Sequence, residues 1–171
     1  MQIVRIAAIS LSILIGVLLP GRLRAQTDAS SAPPAAAITP EMAGALNRDF
    51  VFSTTAHNPQ TGDDWNIVSN VYFSGCDITR VGRINDKSTT YTVSLAKLDL
   101  DSFKVMTASN VTPPLYFFTF STIDNAKSVR VSSADGTVEN ASVFQLMASS
   151  MDKGNDGVAY VKEAIRSCSA S

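Results

Sequence analysis

The 171-residue sequence is short of reactive side chains. It holds one histidine, two cysteines and one tryptophan, and only 17% of its residues are charged, against about 25% in an average soluble domain. One histidine excludes a multi-histidine metal centre. Two cysteines exclude an all-cysteine zinc site and a disulfide-dense scaffold. Lys+Arg 14 against Asp+Glu 15 gives a net charge of −1, so no basic surface points to nucleic acid as a partner. There is no Gly-x-Ser-x-Gly elbow, no Cys-x-x-Cys pair and no internal repeat. Hydrophobic residues at 45% argue against disorder, and the length suits one domain.

The strongest local signal is at the N-terminus. Arg5 precedes an apolar run over 6–19 that Pro20-Gly21 breaks. Fourteen residues fall short of the ~20 that span a bilayer as a helix. The run fits the core of a signal peptide over 1–25, with Ala25 ahead of a cut at Gln26. Arg22 and Arg24 follow the run, where positive charge opposes translocation, so an uncleaved N-terminal anchor is the alternative. Either way the remainder is expected outside the cytoplasm, periplasmic or secreted, with no membrane span once the signal is removed. The segment carries three arginines and no acid, so the chain without it has a net charge of −4.

Residues 26–40 (QTDASSAPPAAAITP) lack the apolar surface to repay ordering and read as a flexible tether. One β-rich domain over 41–171 follows. Thr39, Pro40 and Glu41 have the order of an N-cap, a first helical position and an acidic first turn, predicting a short helix to Arg48. Residues 58–64 are turn-rich. Val71 and Phe73, then Cys76 and Ile78, alternate with polar neighbours but switch parity at Ser74-Gly75, which predicts a β-bulge at Gly75. Tyr91, Val93 and Leu95 alternate, as do Phe103 and Val105. The LYFFTF run over 115–120 predicts a central strand covered on both faces. Val129 and Val131 lead into an Ala134-Asp135-Gly136 hairpin turn, and 138–146 reads as one weaker strand. Asp156 is the expected N-cap of a closing amphipathic helix carrying Val158, Val161, Ile165 and Cys168 on one side. The pattern predicts a mainly β (α+β) domain, an antiparallel β-sandwich or a pleckstrin-homology-like (PH-like) barrel of about six or seven strands, with a short N-terminal and an amphipathic C-terminal helix.

Cys76 on a core-facing strand position and Cys168 on the apolar helix face suggest a disulfide in an exported chain. Two buried free thiols or a redox pair are the weaker readings. Phe73-Ser74-Gly75-Cys76, then Thr92 to Leu95 through Leu98-Asp99-Leu100-Asp101, then 115–120 and the helix ending at Cys168, together resemble small exported bacterial domains of uncharacterised function. The order of elements is similar to that of PH-like barrels. The resemblance implies a bent antiparallel sheet with one C-terminal helix and brings no catalytic residues.

Candidate chemistry is sparse. Asp152, Asp156, Gly157 and Glu163 match positions 1, 5, 6 and 12 of a calcium loop, but Gly154, Ala159 and Tyr160 depart from it. A Gly/Asn turn capped by Asp156, with Glu163 solvated, is the simpler reading. Ser94-Leu-Ala-Lys97 has the Ser-x-x-Lys spacing of penicillin-recognising acylases without their companion motifs. A hydrolytic cluster needs His57, Asp63 and Asp64 together in a cleft, and a histidine-based metal site needs Asp63 or Asp64 beside His57; a solvated histidine in a turn is the simpler reading. Asp99 and Asp101 read as a solvated loop rather than paired acids. Asn110 and Asn140 open glycosylation sequons. Trp65 and the row Tyr116, Phe118, Phe120 could line a groove, but such a row is more often core. The best-supported function is noncatalytic: an exported binding or accessory domain of the cell envelope, contacting a protein or small ligand, with no cofactor. A small secreted hydrolase near His57 and a calcium-binding module over 152–163 are the alternatives.

Overall fold

The computed structural model describes residues 38–170. The expected signal over 1–25 and most of the expected tether lie outside them. Thr39 caps α1 (Pro40–Phe50), its hydroxyl accepting from the Met42 amide at 3.2 Å, so the last tether residues already belong to the fold. Ile38 packs against the main core. The helix buries Met42, Ala45, Leu46 and Phe50 along one side.

The next elements are β1 (Phe52–His57), β2 (Asp64–Ser74), β3 (Asp77–Ile84) and β4 (Lys87–Ser94). They form an antiparallel meander. The parity switch at Ser74-Gly75 is a hairpin, not a bulge. Ser74 pairs with Asp77, leaving Gly75-Cys76 as a two-residue turn. Gly75 has φ +58°, which a turn with its first central residue left-handed requires. Cys76 is therefore a half-buried turn residue rather than a core strand residue. Asn85 has φ +52° in the matching turn between β3 and β4, a conformation asparagine tolerates.

After two single-turn 3₁₀ segments come β5 (Lys104–Ala108), β6 (Leu115–Ser121), β7 (Val129–Ser133), β8 (Val138–Ala141) and β9 (Val143–Ala148). The sheets have the orders β1-β2-β3-β4-β7-β8 and β5-β6-β9. Nine antiparallel strands in two sheets replace the expected six or seven. The stretch read as one strand over 138–146 is two, which diverge around Ser142: β8 pairs with β7 in one sheet and β9 with β6 in the other. β6 is the centre of its sheet, as its apolar run predicts. Phe103 packs against the core, but Val105 on edge strand β5 is exposed, so alternation there does not mean burial. The isolated bridge His57↔Thr112 links β1 to the segment before β6, and Leu98↔Thr122 links the segment after β4 to the residue that follows β6.

The closing helix, α2 (Met151–Ser169), is capped six residues before the expected Asp156. Ser150 is the cap, its hydroxyl accepting from the Lys153 amide at 3.3 Å. Gly154 and Gly157, which read as turn glycines, lie inside the helix and face its neighbours. A Cβ at Gly154 would overlap the Phe118 ring, and one at Gly157 would sit 2.5 Å from the Phe50 ring. Interior glycine costs about 1 kcal/mol relative to alanine; here the missing Cβ makes room for two stacked elements. Phe50 and Phe118 meet edge to face at 6.1 Å. Val158, Val161, Ala164, Ile165 and Cys168 complete the buried stripe.

The core has two parts. The larger joins both helices to Phe118, Phe120, Phe144 and Leu146 and to Val71, Ile78 and Val93. The smaller joins Ala56, Ile67, Val111, Leu115 and Met147, with Trp65 and Phe117 packed on it. Alternate residues of β6 and β9 thus serve different clusters, as strand geometry dictates.

Candidate functional site

The disulfide is present. Cys76 and Cys168 are joined with Cα atoms 5.7 Å apart and a sequence separation of 92. It fastens the end of α2 to the β2–β3 hairpin, and the Cys76 carbonyl accepts from the Leu95 amide at 2.8 Å. The bond is structural in its placement; no other thiol accompanies it.

The residues of the calcium reading do not form a loop. Residues 152–163 are continuous helix. Asp152, Asp156 and Glu163 are exposed and spaced along the axis, with about 10 Å of rise between the last two. Oxygen ligands must converge within about 2.5 Å of one ion, which a straight helix cannot arrange. Among the described residues no group of three His, Cys, Asp or Glu side chains could hold a metal.

The hydrolase reading fares partly better. His57 and Asp64 are register partners on β1 and β2, and Nδ1 lies 2.8 Å from the Asp64 carboxylate. Asp63 is exposed in the adjoining turn, where its carbonyl accepts from the Asn58 amide. Both members of the pair are exposed, by 51% and 69%, and no hydroxyl or thiol hydrogen-bonds His57 among the described residues. The described residues place an imidazole against a carboxylate, with no nucleophile hydrogen-bonded to it. Ser94 ends β4 and Lys97 closes the 3₁₀ turn that follows it, so they do not share the helix start their proposed chemistry needs. Asp99 instead caps the next turn, accepting from the Asp101 amide at 2.9 Å. Asn110 and Asn140 are exposed. Phe118 and Phe120 are core.

The site that sequence reading missed centres on Arg80. On β3, Ile78, Arg80 and Gly82 share the buried face. Arg80 is only 5% exposed and forms no ion pair among the described residues. Among the described residues its Nε has no hydrogen-bond partner, and its Nη2 meets only the Met147 thioether, at 3.9 Å. The guanidinium lies 5.3 Å from the centre of the Tyr91 ring, its register partner on β4. It folds over Gly82, where a Cβ would lie 2.9 Å from Cζ; glycine is the one residue that leaves this path open. Ser69 faces Gly82 from β2, and its hydroxyl is also buried without a partner. Burial lowers the Arg80 pKa from its ordinary value, with Tyr91 opposing the shift. The group still stays protonated.

Arg80 lines a cleft of about 570 Å³, within the range of small-molecule sites. Trp65, Tyr91, Phe117, Met147 and Ile84 supply apolar wall; Asn85, Asp86, Lys87, Thr89 and Gln145 supply polar groups. The row on β6 is core at Phe118 and Phe120, as the preferred reading had it; the cleft beside Trp65 is walled instead by Phe117, on the opposite side of the strand. Comparison of the chain with known protein families, curated proteins and solved structures finds no match. Among the described residues no helix is long and apolar enough to cross a membrane.

Proposed function

We propose that this chain is an exported, noncatalytic domain that binds a small ligand in the cleft between β2–β4 and the Phe117–Met147 side of the smaller sheet. One observation carries the reading: a cation nine-tenths buried, without a carboxylate partner among the described residues, in an aromatic-walled cleft. An unpaired buried charge costs several kcal/mol, and a ligand that completes its hydrogen bonds recovers part of that cost. The N-terminal signal pattern and the disulfide support an oxidising compartment, the periplasm or the medium. The resemblance to small exported bacterial domains agrees with this placement.

Trp65 is the single tryptophan and lines the cleft, so its emission reports occupancy. The exported chain, titrated with 1-anilinonaphthalene-8-sulfonate, should show saturable one-site quenching of Trp65. Thr89→Phe, which fills the cleft from its wall, should weaken that binding at least tenfold while far-UV circular dichroism stays unchanged. No saturable binding, or binding indifferent to Thr89→Phe, overturns the reading.

A further inference from the structure

We infer that the ligand of this cleft is a monoanion presenting a carboxylate on an apolar body, an inference that rests on the binding reading above. The charge inventory sets the anion's valence. Arg80 and Lys87 bring two positive charges and Asp86 one negative, a balance of one. A dianion such as phosphate would enter with a charge left over and would face Asp86 as well. The donor inventory sets the head group. Nε and Nη2 form one edge of a guanidinium, and here that edge has no partner at Nε and only a thioether at Nη2. Such an edge matches the two oxygens of a carboxylate in parallel hydrogen bonds. The walls set the body. Trp65, Tyr91, Phe117 and Met147 bury hydrocarbon or aromatic surface, and aromatic sites accept flat rings at low cost.

Three neighbours hold Arg80 in a waiting state. The Tyr91 ring lies 5.3 Å from the guanidinium, Gly82 leaves its path clear, and Met147 occupies Nη2 with a weak acceptor that an oxygen displaces. The head group therefore binds to a preorganised cation.

The test uses the exported full chain and four probes read by Trp65 emission and calorimetry: 2-naphthoate, 2-naphthamide, decanoate and inorganic phosphate. Saturable binding of either acid, with 2-naphthamide at least tenfold weaker than 2-naphthoate where the aromatic acid binds, supports the inference; the tighter acid tells an aromatic from an aliphatic source. Arg80→Met should abolish acid binding while leaving the chain folded. If it fails to fold, the acid-to-amide ratio in the unaltered chain still decides. An amide binding as tightly as its acid, phosphate outcompeting both acids, or neither acid binding while anilinonaphthalene sulfonate does, overturns the carboxylate class and leaves the cleft reading standing. Failure of every probe, the sulfonate included, removes both.

Discussion

The smaller sheet treats its two faces differently. Toward the helices, Phe118, Phe120, Phe144 and Leu146 are fully buried, Gly154 lets the Phe118 ring against α2 as Gly157 does for Phe50 of α1, and a disulfide anchors the far end of α2. On the other face, Phe117, Gln145 and Met147 border an open cleft with a buried unpaired arginine. One side is closed by packing; the other keeps polar atoms unsatisfied. The contrast teaches that two buried faces of one sheet differ in polar satisfaction. Natural proteins leave few buried polar groups unpaired, and the Arg80 orphan at the cleft is the ground on which the proposed binding face rests.

That contrast has consequences of opposite sign. The largest loss belongs to the helix side. Replacing Cys76 and Cys168 together by serine opens a loop of 92 residues and should cost about 4–5 kcal/mol on the chain-entropy model; urea unfolding of the two proteins measures it. On the cleft side, Arg80→Met should raise stability by about 1–4 kcal/mol, because an apolar chain of similar length replaces a buried unpaired cation. Thermal unfolding reads the sign, and a loss of stability would mean that the arginine is structural. Gly154→Ala improves helix propensity but drives a Cβ into the Phe118 ring, so it should cost about 1–3 kcal/mol; a stabilised variant would break the account of close helix–sheet packing. The smallest effect is at neither face. His57→Ala removes an exposed pair with Asp64 and should change stability by about 1 kcal/mol or less. It should also leave any esterase signal of the purified chain unchanged; a signal that disappears with His57 would restore the hydrolase reading.

Much of the architecture was legible, for local reasons. Thr39-Pro40-Glu41 set the first helix, the LYFFTF run announced a central strand, and Ala134-Asp135-Gly136 marked its hairpin. The two cysteines identified the crosslink although one was placed on a strand instead of in a turn. The failures are as informative. Gly154-Asn155-Asp156-Gly157 has turn composition, yet tertiary packing against Phe50 and Phe118 outweighs local preference and holds it helical. The division of 138–148 between two sheets depends on which strands lie nearby, and no local pattern encodes that. Arg80 was within reach: continuing the Cys76–Ile78 alternation places it, with Gly82, on the buried face. A charged residue next to a glycine on an apolar face is the signal that went unused. The cleft itself was not legible, because Trp65, Arg80 and Met147 come from β2, β3 and β9 and meet only in the folded chain.

Gly82 also constrains how this chain can vary. The guanidinium of Arg80 occupies the space where residue 82 would carry a side chain, so the two positions are one unit in heredity as well as in space. A side chain at 82 meets only the far end of Arg80, which swings away, so the fold tolerates the change while the cleft loses its cation. A paired library at the two positions, selected for carboxylate binding, should keep glycine at 82 wherever arginine stays at 80; a library selected for folding alone should show no such linkage.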